Sequence, residues 1–333
     1  MIDIDGSYGE GGGGIVRTAV SLSGITGNPV RIVNIRGNRE KTGLAAQHFK
    51  AVQAVQTMTD ASVEGLKIGS KELVFFPEKI RGGRFKIDVG TAGSTTLVLQ
   101  SIIPVAIFAG APVEVFITGG TDVLWSPSID FFRYITVPAL RSFGVKIEIN
   151  LIRRGYYPKG RGLVKATIYP SRLKGRRIER SGNKIRGISH SSGLPTHVAK
   201  RQLTAAKTRL IEAGLNAEIK LEQSVSESIG SGITLWSDHK GGSALGKRGK
   251  PADKVGIEAA EILLSEIRSN SSVDRFLSDQ LIPYIALAGG RSEFCVNRLT
   301  GHAKTNIWVT RQFLDVEFDI EEGETTRIST KNL

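Results

Sequence analysis

Residues 93–120, GSTTLVLQSIIPVAIFAGAPVEVFITGG, carry an apolar run of helix length, a glycine turn at Gly110 and a strand of alternating character. The apolar stretch Leu97–Ala109 is interrupted by Gln100, Ser101 and Pro104, and it is shorter than the ~20 residues a bilayer span needs. A helix followed by a glycine turn and a strand is therefore the reading. Working outward, the same order recurs before it, in GGGGIVRTAVSLSG (11–24) leading to NPVRIVNI (28–35), and after it, in FLSDQLIPYIALAGGRSEFCVNRL (276–299).

Aligned on Gly27, Gly110 and Gly290, the copies stand 83 and 263 residues apart, and Arg17, Gln100 and Gln280 fall in one column. Each is a polar residue in an otherwise apolar helix. An internal repeat in which one face of each helix converges on a shared site explains this column; three solvent-facing helix positions are the alternative.

Between the copies lie further helix candidates, GLAAQHFKAVQAVQTM (43–58) and SIDFFRYITVPALRSFG (128–144), and short strands such as KELVFFP (71–77), RFKIDVG (84–90) and VKIEINLI (145–152). The fold class is α/β in the α+β sense, with more antiparallel pairing than a purely parallel sheet carries. A Gly- and Ser-rich stretch around 181–193, helices near 196–213 and 250–268 and the strand AEIKLEQSV (217–225) read as a small α/β domain, residues 180–273, inserted into a large repeat-built domain of residues 1–179 and 274–333.

The chain has 333 residues, enough for two domains. Hydrophobic residues at 40% and charged residues at 23% exclude a disordered chain, and the 39 glycines follow no collagen-like period. Lys and Arg outnumber Asp and Glu by 45 to 32, a net +13 that suits a polyanionic partner. Residues 171–210 hold eleven Lys/Arg against one Glu, without an aromatic stacking motif, so this stretch is expected to add salt-sensitive, sequence-independent attraction to RNA where it touches RNA. The single Cys295 fits a reducing compartment, and the N-terminal MIDIDGSYGEGGGG reads as neither signal peptide nor membrane segment. A cytoplasmic protein is expected.

Several residues carry chemistry. The glycine run in SYGEGGGGIVRT (7–18) precedes a helix, where backbone N–H groups receive anions, yet it matches neither GxxxxGK[ST] nor GxGxxG; a tight glycine turn is the alternative. Glu10 reads either as an oxygen ligand of Mg²⁺ beside a phosphate loop or as a charge complementing the helix dipole, and its position alone favours the second. Arg36 and Arg39 follow a strand and, with Arg17, would make a bidentate trap for phosphate. His302 stands at the mouth of a candidate helix in LTGHAKTNIWVTRQFL (299–314), where a neutral imidazole can attack phosphorus.

Seven ordered segments then carry a resemblance: DGSYGEGGGGIVRTAVSLS (5–23), IRGNREKTGLAAQH (35–48), GTAGSTTLVLQ (90–100), GGTDVLWSPSIDFF (119–132), RRGYYPKGRG (153–162), SDQLIPYIALAG (278–289) and GHAKTNIWVTRQFL (301–314). In order and spacing they resemble the RNA 3′-terminal phosphate cyclases. The resemblance implies a large domain of repeated βαβαββ-type units, related to the enolpyruvate transferases, interrupted by a small α/β insert. It implies ATP-dependent conversion of an RNA 3′-phosphate to a 2′,3′-cyclic phosphodiester, with Mg²⁺ or Mn²⁺, through a covalent histidine–AMP and an RNA-adenylate.

By residue, the resemblance makes His302 the nucleophile and Glu10 the metal-associated acid. Arg17, Arg36, Arg39, Gln47 and His48 match phosphate-holding positions for ATP or the RNA end. Gln100, Pro127, Asp279, Gln280 and Tyr284 match the nucleotide side, with a loop near 241–250 over the adenine. Thr42 replaces the usual proline, GGTDVLW (119–125) replaces a more polar segment and so bears on RNA or nucleotide contacts through Asp122 and Trp125, and Arg161 replaces the middle glycine of a triplet. The alternative is a non-catalytic relative acting in ribosomal RNA processing, which lacks the histidine this chain keeps; an enolpyruvyl transferase shares only the repeat architecture. The oligomeric state is left open, a homodimer included.

Overall fold

The computed structural model describes residues 1–331 apart from 181, 183 and 226. Its first four strands and two helices run β1 Ile2–Asp5, α1 Gly13–Thr26, β2 Val30–Val33, α2 Ala46–Met58, β3 Ser62–Glu64 and β4 Leu73–Phe76, in a sheet ordered β1-β2-β4-β3. The β1–β2 pair is parallel because α1 crosses between them, and the other two pairs are antiparallel.

The next stretch repeats that order of elements. It comprises β5 Gly83–Asp88, α3 Thr95–Ala106, β6 Val113–Gly119, a helical run, β7 Lys146–Arg153 and β8 Gly162–Tyr169, ordered β5-β6-β8-β7. The helical run is α4 Ile129–Phe131, a π-turn at Phe132–Thr136 and α5 Val137–Ser142. After an intervening segment, α8 Arg275–Leu287, β13 Arg291–Val296, α9 Gly301–Phe313, β14 Glu317–Glu321 and β15 Thr326–Lys331 give a three-stranded sheet, β13-β15-β14. Its open edge is flanked by residues 174–177, which bridge in parallel to β13 through Lys174–Gly289 and Arg177–Glu293.

The intervening segment is β9 Ile185–Ser192, α6 His197–Glu212, β10 Ala217–Ser224, β11 Gly230–Ser237, β12 Lys240–Leu245 and α7 Ala252–Arg268, in a sheet ordered β10-β9-β11-β12. It has an apolar cluster of its own, including Leu210, Ile233, Leu235, Val255 and Leu263, while the rest of the chain shares a larger one. Residues 241–245, expected within a loop, are strand: Gly241 packs against Ile135 and Phe131, and Gly242 against Ala259, so the glycines serve close approach.

Burial explains why α1, α3 and α8 are so apolar. Every residue of α3 is buried except Gln100, and α1 and α8 are buried along most of their length. Gly27 ends α1 at φ +74°, its N–H donating to the Ser23 carbonyl at 2.9 Å, the left-handed cap that favours glycine. Among the described residues no helix is long and apolar enough to cross a membrane.

Candidate active site

Three helix starts meet at the glycine run. α1 is capped by Gly12 with no side-chain hydrogen bond, which leaves its first N–H groups free of a side-chain acceptor. The α9 start is fixed by Thr300, whose hydroxyl accepts from the Ala303 N–H at 3.1 Å. The α2 start brings His48 against α1, so closely that a methyl group on Gly13 would fall within the imidazole. Replacing Gly13 with alanine is expected to displace His48 and cut turnover by at least about tenfold with the fold retained, since a buried ring must move for one methyl. Steady-state rates and melting temperature measured on the same sample check this.

The side chains form two connected groups. Arg17 Nη1 lies 3.3 Å from His48 Nδ1, and because guanidinium only donates, Nδ1 is the acceptor and the proton sits on Nε2. Burial, with Arg17 and Arg36 nearby, holds the His48 pKa well below the ordinary histidine value. Arg36 adopts φ +56° and its Nη1 donates to the Gly43 carbonyl at 3.2 Å; burial and Arg39 lower its pKa. Burial takes Arg17 down to about 10 against the pull of Asp279, so it remains cationic at neutral pH. Burial likewise takes Asp279 up to about 7, opposed by Arg17.

Around His302 the second group assembles. Glu10 pairs with Arg39 at 3.3 Å, and its carboxylate lies directly on Gly301, in the first turn of α9. The Glu10 N–H donates to Thr305 Oγ1 at 3.3 Å. His302 is exposed, yet enough protein surrounds it that desolvation lowers its pKa; Glu10 opposes this, while Arg39 and Arg17 add to it. A neutral imidazole at pH 7 results, beside two arginines and one carboxylate. That surplus of fixed positive charge fits phosphate and the developing charge of its transfer.

Glu10 also fits a hard divalent cation: it is a half-exposed carboxylate beside the anion-receiving loop, and Mg²⁺ is commonly held by one or two carboxylates together with substrate phosphates. Among the other residues expected from the sequence, Gln100 is the half-buried residue of α3. Gln47 Oε1 accepts from the Ser94 N–H at 3.4 Å, and Gln280 Oε1 accepts from the Thr136 hydroxyl at 3.0 Å. The Pro127 carbonyl accepts from the Thr96 hydroxyl at 2.8 Å, at the edge of α3. Tyr284 is buried under the surface, only 4% exposed, and burial raises its phenol pKa.

Sequence reasoning missed the clamp that joins these helices. The Thr18 hydroxyl donates to Asn306 Oδ1 at 3.0 Å, and Asn306 Nδ2 donates to the Asp279 carbonyl at 2.9 Å, tying α1, α9 and α8 together. Asn306 is one turn from His302, on the same helix face, which is the signal that points to it. The basic stretch is less free than its charge suggests: Arg177, Lys184, Arg201 and Arg209 face Glu293, Glu218, Asp253 and Glu261.

Comparison with known proteins gives the chain's relatives. A family model described as RNA 3′-terminal phosphate cyclase matches residues 8–320. An RNA 3′-terminal phosphate cyclase of Archaeoglobus fulgidus is 51% identical over 314 residues, covering 94% of this chain and 96% of that one. Proteins of the same name from Methanosarcina mazei and Pyrococcus furiosus are 50% and 48% identical, each covering 97% of this chain and 98% and 96% of their own lengths.

Proposed function

Since this chain belongs to the RNA 3′-terminal phosphate cyclase family, we propose that it converts an RNA 3′-terminal phosphate to a 2′,3′-cyclic phosphodiester at the expense of ATP, with His302 as the nucleophile. The observation that carries this reading is the His302 imidazole, exposed and kept neutral among Arg17, Arg39 and Glu10. A neutral ring nitrogen has the lone pair that attack on the ATP α-phosphorus requires. His302 would take AMP as pyrophosphate leaves, then pass it to the RNA 3′-phosphate. Attack by the adjacent 2′-hydroxyl on that activated phosphate expels AMP, a ring closure favoured by proximity.

Arg17, Arg36 and Arg39, with Gln47 and His48, would hold the phosphates of ATP and of the RNA end. Gln100, Pro127, Asp279, Gln280 and Tyr284 would line the nucleotide side. Glu10 would hold Mg²⁺ or Mn²⁺, which supplies charge neutralisation at the phosphates when bound. Residues 1–179 and 274–333 would form the catalytic domain and 180–273 an inserted one; the separate apolar cluster of the insert supports that division. The recurring βαβαββ order supports repeat units of the enolpyruvate-transferase kind, with residues 174–177 standing where the third unit needs its first strand. A cytoplasmic setting accords with the lone cysteine.

Retention of His302 favours the enzyme over a non-catalytic ribosomal RNA processing relative. Incubating the protein with ATP, Mg²⁺ and a 3′-phosphorylated oligonucleotide should make that terminal phosphate resistant to phosphatase, and a 3′-hydroxyl oligonucleotide should be left unaltered. A 3′-phosphate that stays phosphatase-sensitive with ATP and either metal present would overturn the reading.

A further inference from the structure

Two loops beside the site carry an unexplained exposed aromatic pair. Trp125 is 94% exposed and Tyr157 78% exposed, with Leu124 and Ile229 also open to solvent. A large apolar side chain left almost wholly in water is a feature of binding surfaces rather than of folding. Trp125 is moreover held at φ +66° and Arg161, in the second loop, at φ +60°, backbone conformations that carry steric strain for residues with a β-carbon.

The loops are locked to each other and to the phosphate-handling side of the site. Thr121 and Asp122 N–H groups both donate to the Gly155 carbonyl, at 2.8 and 3.1 Å. The Ser228 hydroxyl donates to the Gly160 carbonyl at 2.9 Å and accepts from the Tyr156 N–H at 2.8 Å, which brings in the loop before β11. Gly120 donates to the Gly93 carbonyl at 2.8 Å, and a β-carbon on Gly93 would lie 3.0 Å from Cβ of Gln47. Gln47 precedes His48, the partner of Arg17. A chain of contacts therefore runs from the arginine cluster to the loops that carry the aromatic rim.

Its charge selects the occupant. Lys159 and Arg161 are exposed beside Tyr157, and Arg153 is anchored by donating from Nε to the Arg161 carbonyl at 2.8 Å. Exposed aromatic faces interleaved with cations suit a strand that alternates flat bases with phosphates. We propose that Trp125 and Tyr157 form a stacking platform for the bases of single-stranded RNA leading to the 3′-phosphate. The proposal rests on the cyclase reading and extends it, making this rim the feature that favours a longer RNA over a terminal dinucleotide.

The test compares two substrates, a 3′-phosphorylated oligonucleotide of about twelve residues and a 3′-phosphorylated dinucleotide. For Trp125→Ala and for Tyr157→Ala the ratio of kcat/KM on the long substrate to that on the short one should fall about tenfold each, through KM, and Trp125→Phe should restore most of it. Quenching of tryptophan fluorescence by a non-reacting 3′-hydroxyl oligonucleotide should be strong in the native protein and largely lost in Trp125→Phe. An unchanged ratio in both alanine variants would overturn the platform. So would a change in sedimentation of the free protein on Trp125→Ala, which would make the rim a contact between copies. Should the native protein cyclise neither substrate, the cyclase reading fails instead, and the quenching titration still decides whether the rim holds RNA.

Discussion

His302→Ala is expected to abolish transfer of AMP from α-labelled ATP to the protein, a loss on the order of a thousandfold or more, because removing the nucleophile of a covalent mechanism removes the pathway itself. No neighbouring histidine can substitute. His48 directs Nδ1 at Arg17 and presses its other ring nitrogen against Gly13, so neither is open to a phosphorus atom. In the native protein the adduct should be a phosphoramidate, labile in acid and stable in alkali. His302→Asn serves as the companion variant: it keeps a polar side chain at the same exposed position and offers no nucleophilic lone pair, so it should be as inactive as alanine and melt like the native protein.

The sign of the pH dependence follows from the same surroundings. The neutral imidazole reacts, and desolvation with Arg39 and Arg17 lowers its pKa despite Glu10. Adduct formation should therefore rise with pH and level off with its midpoint below the ordinary histidine value of about 6.5. An adduct that survives His302→Ala, or an acid limb centred above that value, would remove His302 from the role of nucleophile.

How much of this could be read from the chain alone depended on the range of the interactions. Arg17, Gln100 and Gln280 stand out because each interrupts an apolar helix, and those three helices are buried along most of their length. His302, Glu10 and the arginine pair were visible because polar groups gather where a strand ends and a helix begins. Contacts between distant segments left no local trace. The flanking of β13 by residues 174–177 spans the whole of β9 to α7, and no periodicity in either segment announces it. The basic stretch was read by its own charge, whereas Arg201 and Arg209 meet acids 52 residues further on. The loop near 241–250 came from the resemblance alone; residues 241–245 are strand, and their glycines let it lie against α7 and the π-turn.

Arg154→Ala should destabilise the protein by about 3–5 kcal/mol, the cost of leaving buried charges without their partner. The guanidinium is 1% exposed and touches three carboxylates: Asp122 at 3.2 Å, Asp130 at 2.7 Å and Glu222 at 2.6 Å. His190, with Nδ1 2.8 Å from the Tyr156 hydroxyl, closes the cluster from β9, and burial with Arg154 nearby holds its pKa down to about 3. Glu222 and His190 belong to the intervening sheet, while Asp122 follows β6, Asp130 lies in α4 and Arg154 follows β7, so this cluster fastens the intervening segment to the second unit. The carboxylates hold the Arg154 pKa well above its ordinary value, and the side chain stays charged at any accessible pH. Without it, burial and mutual repulsion would raise the carboxyl pKa values, so the folded variant would bind more protons than its unfolded chain. Its deficit relative to the native protein should accordingly shrink as pH falls from 7 towards 5, since groups that titrate alike in both proteins, such as His48 and Asp279, drop out of the difference. Denaturant midpoints at the two pH values measure both effects. An Arg154→Ala protein as stable as the native one at pH 7, or a deficit that grows on acidification, would show that the boundary is held by apolar packing rather than by this cluster.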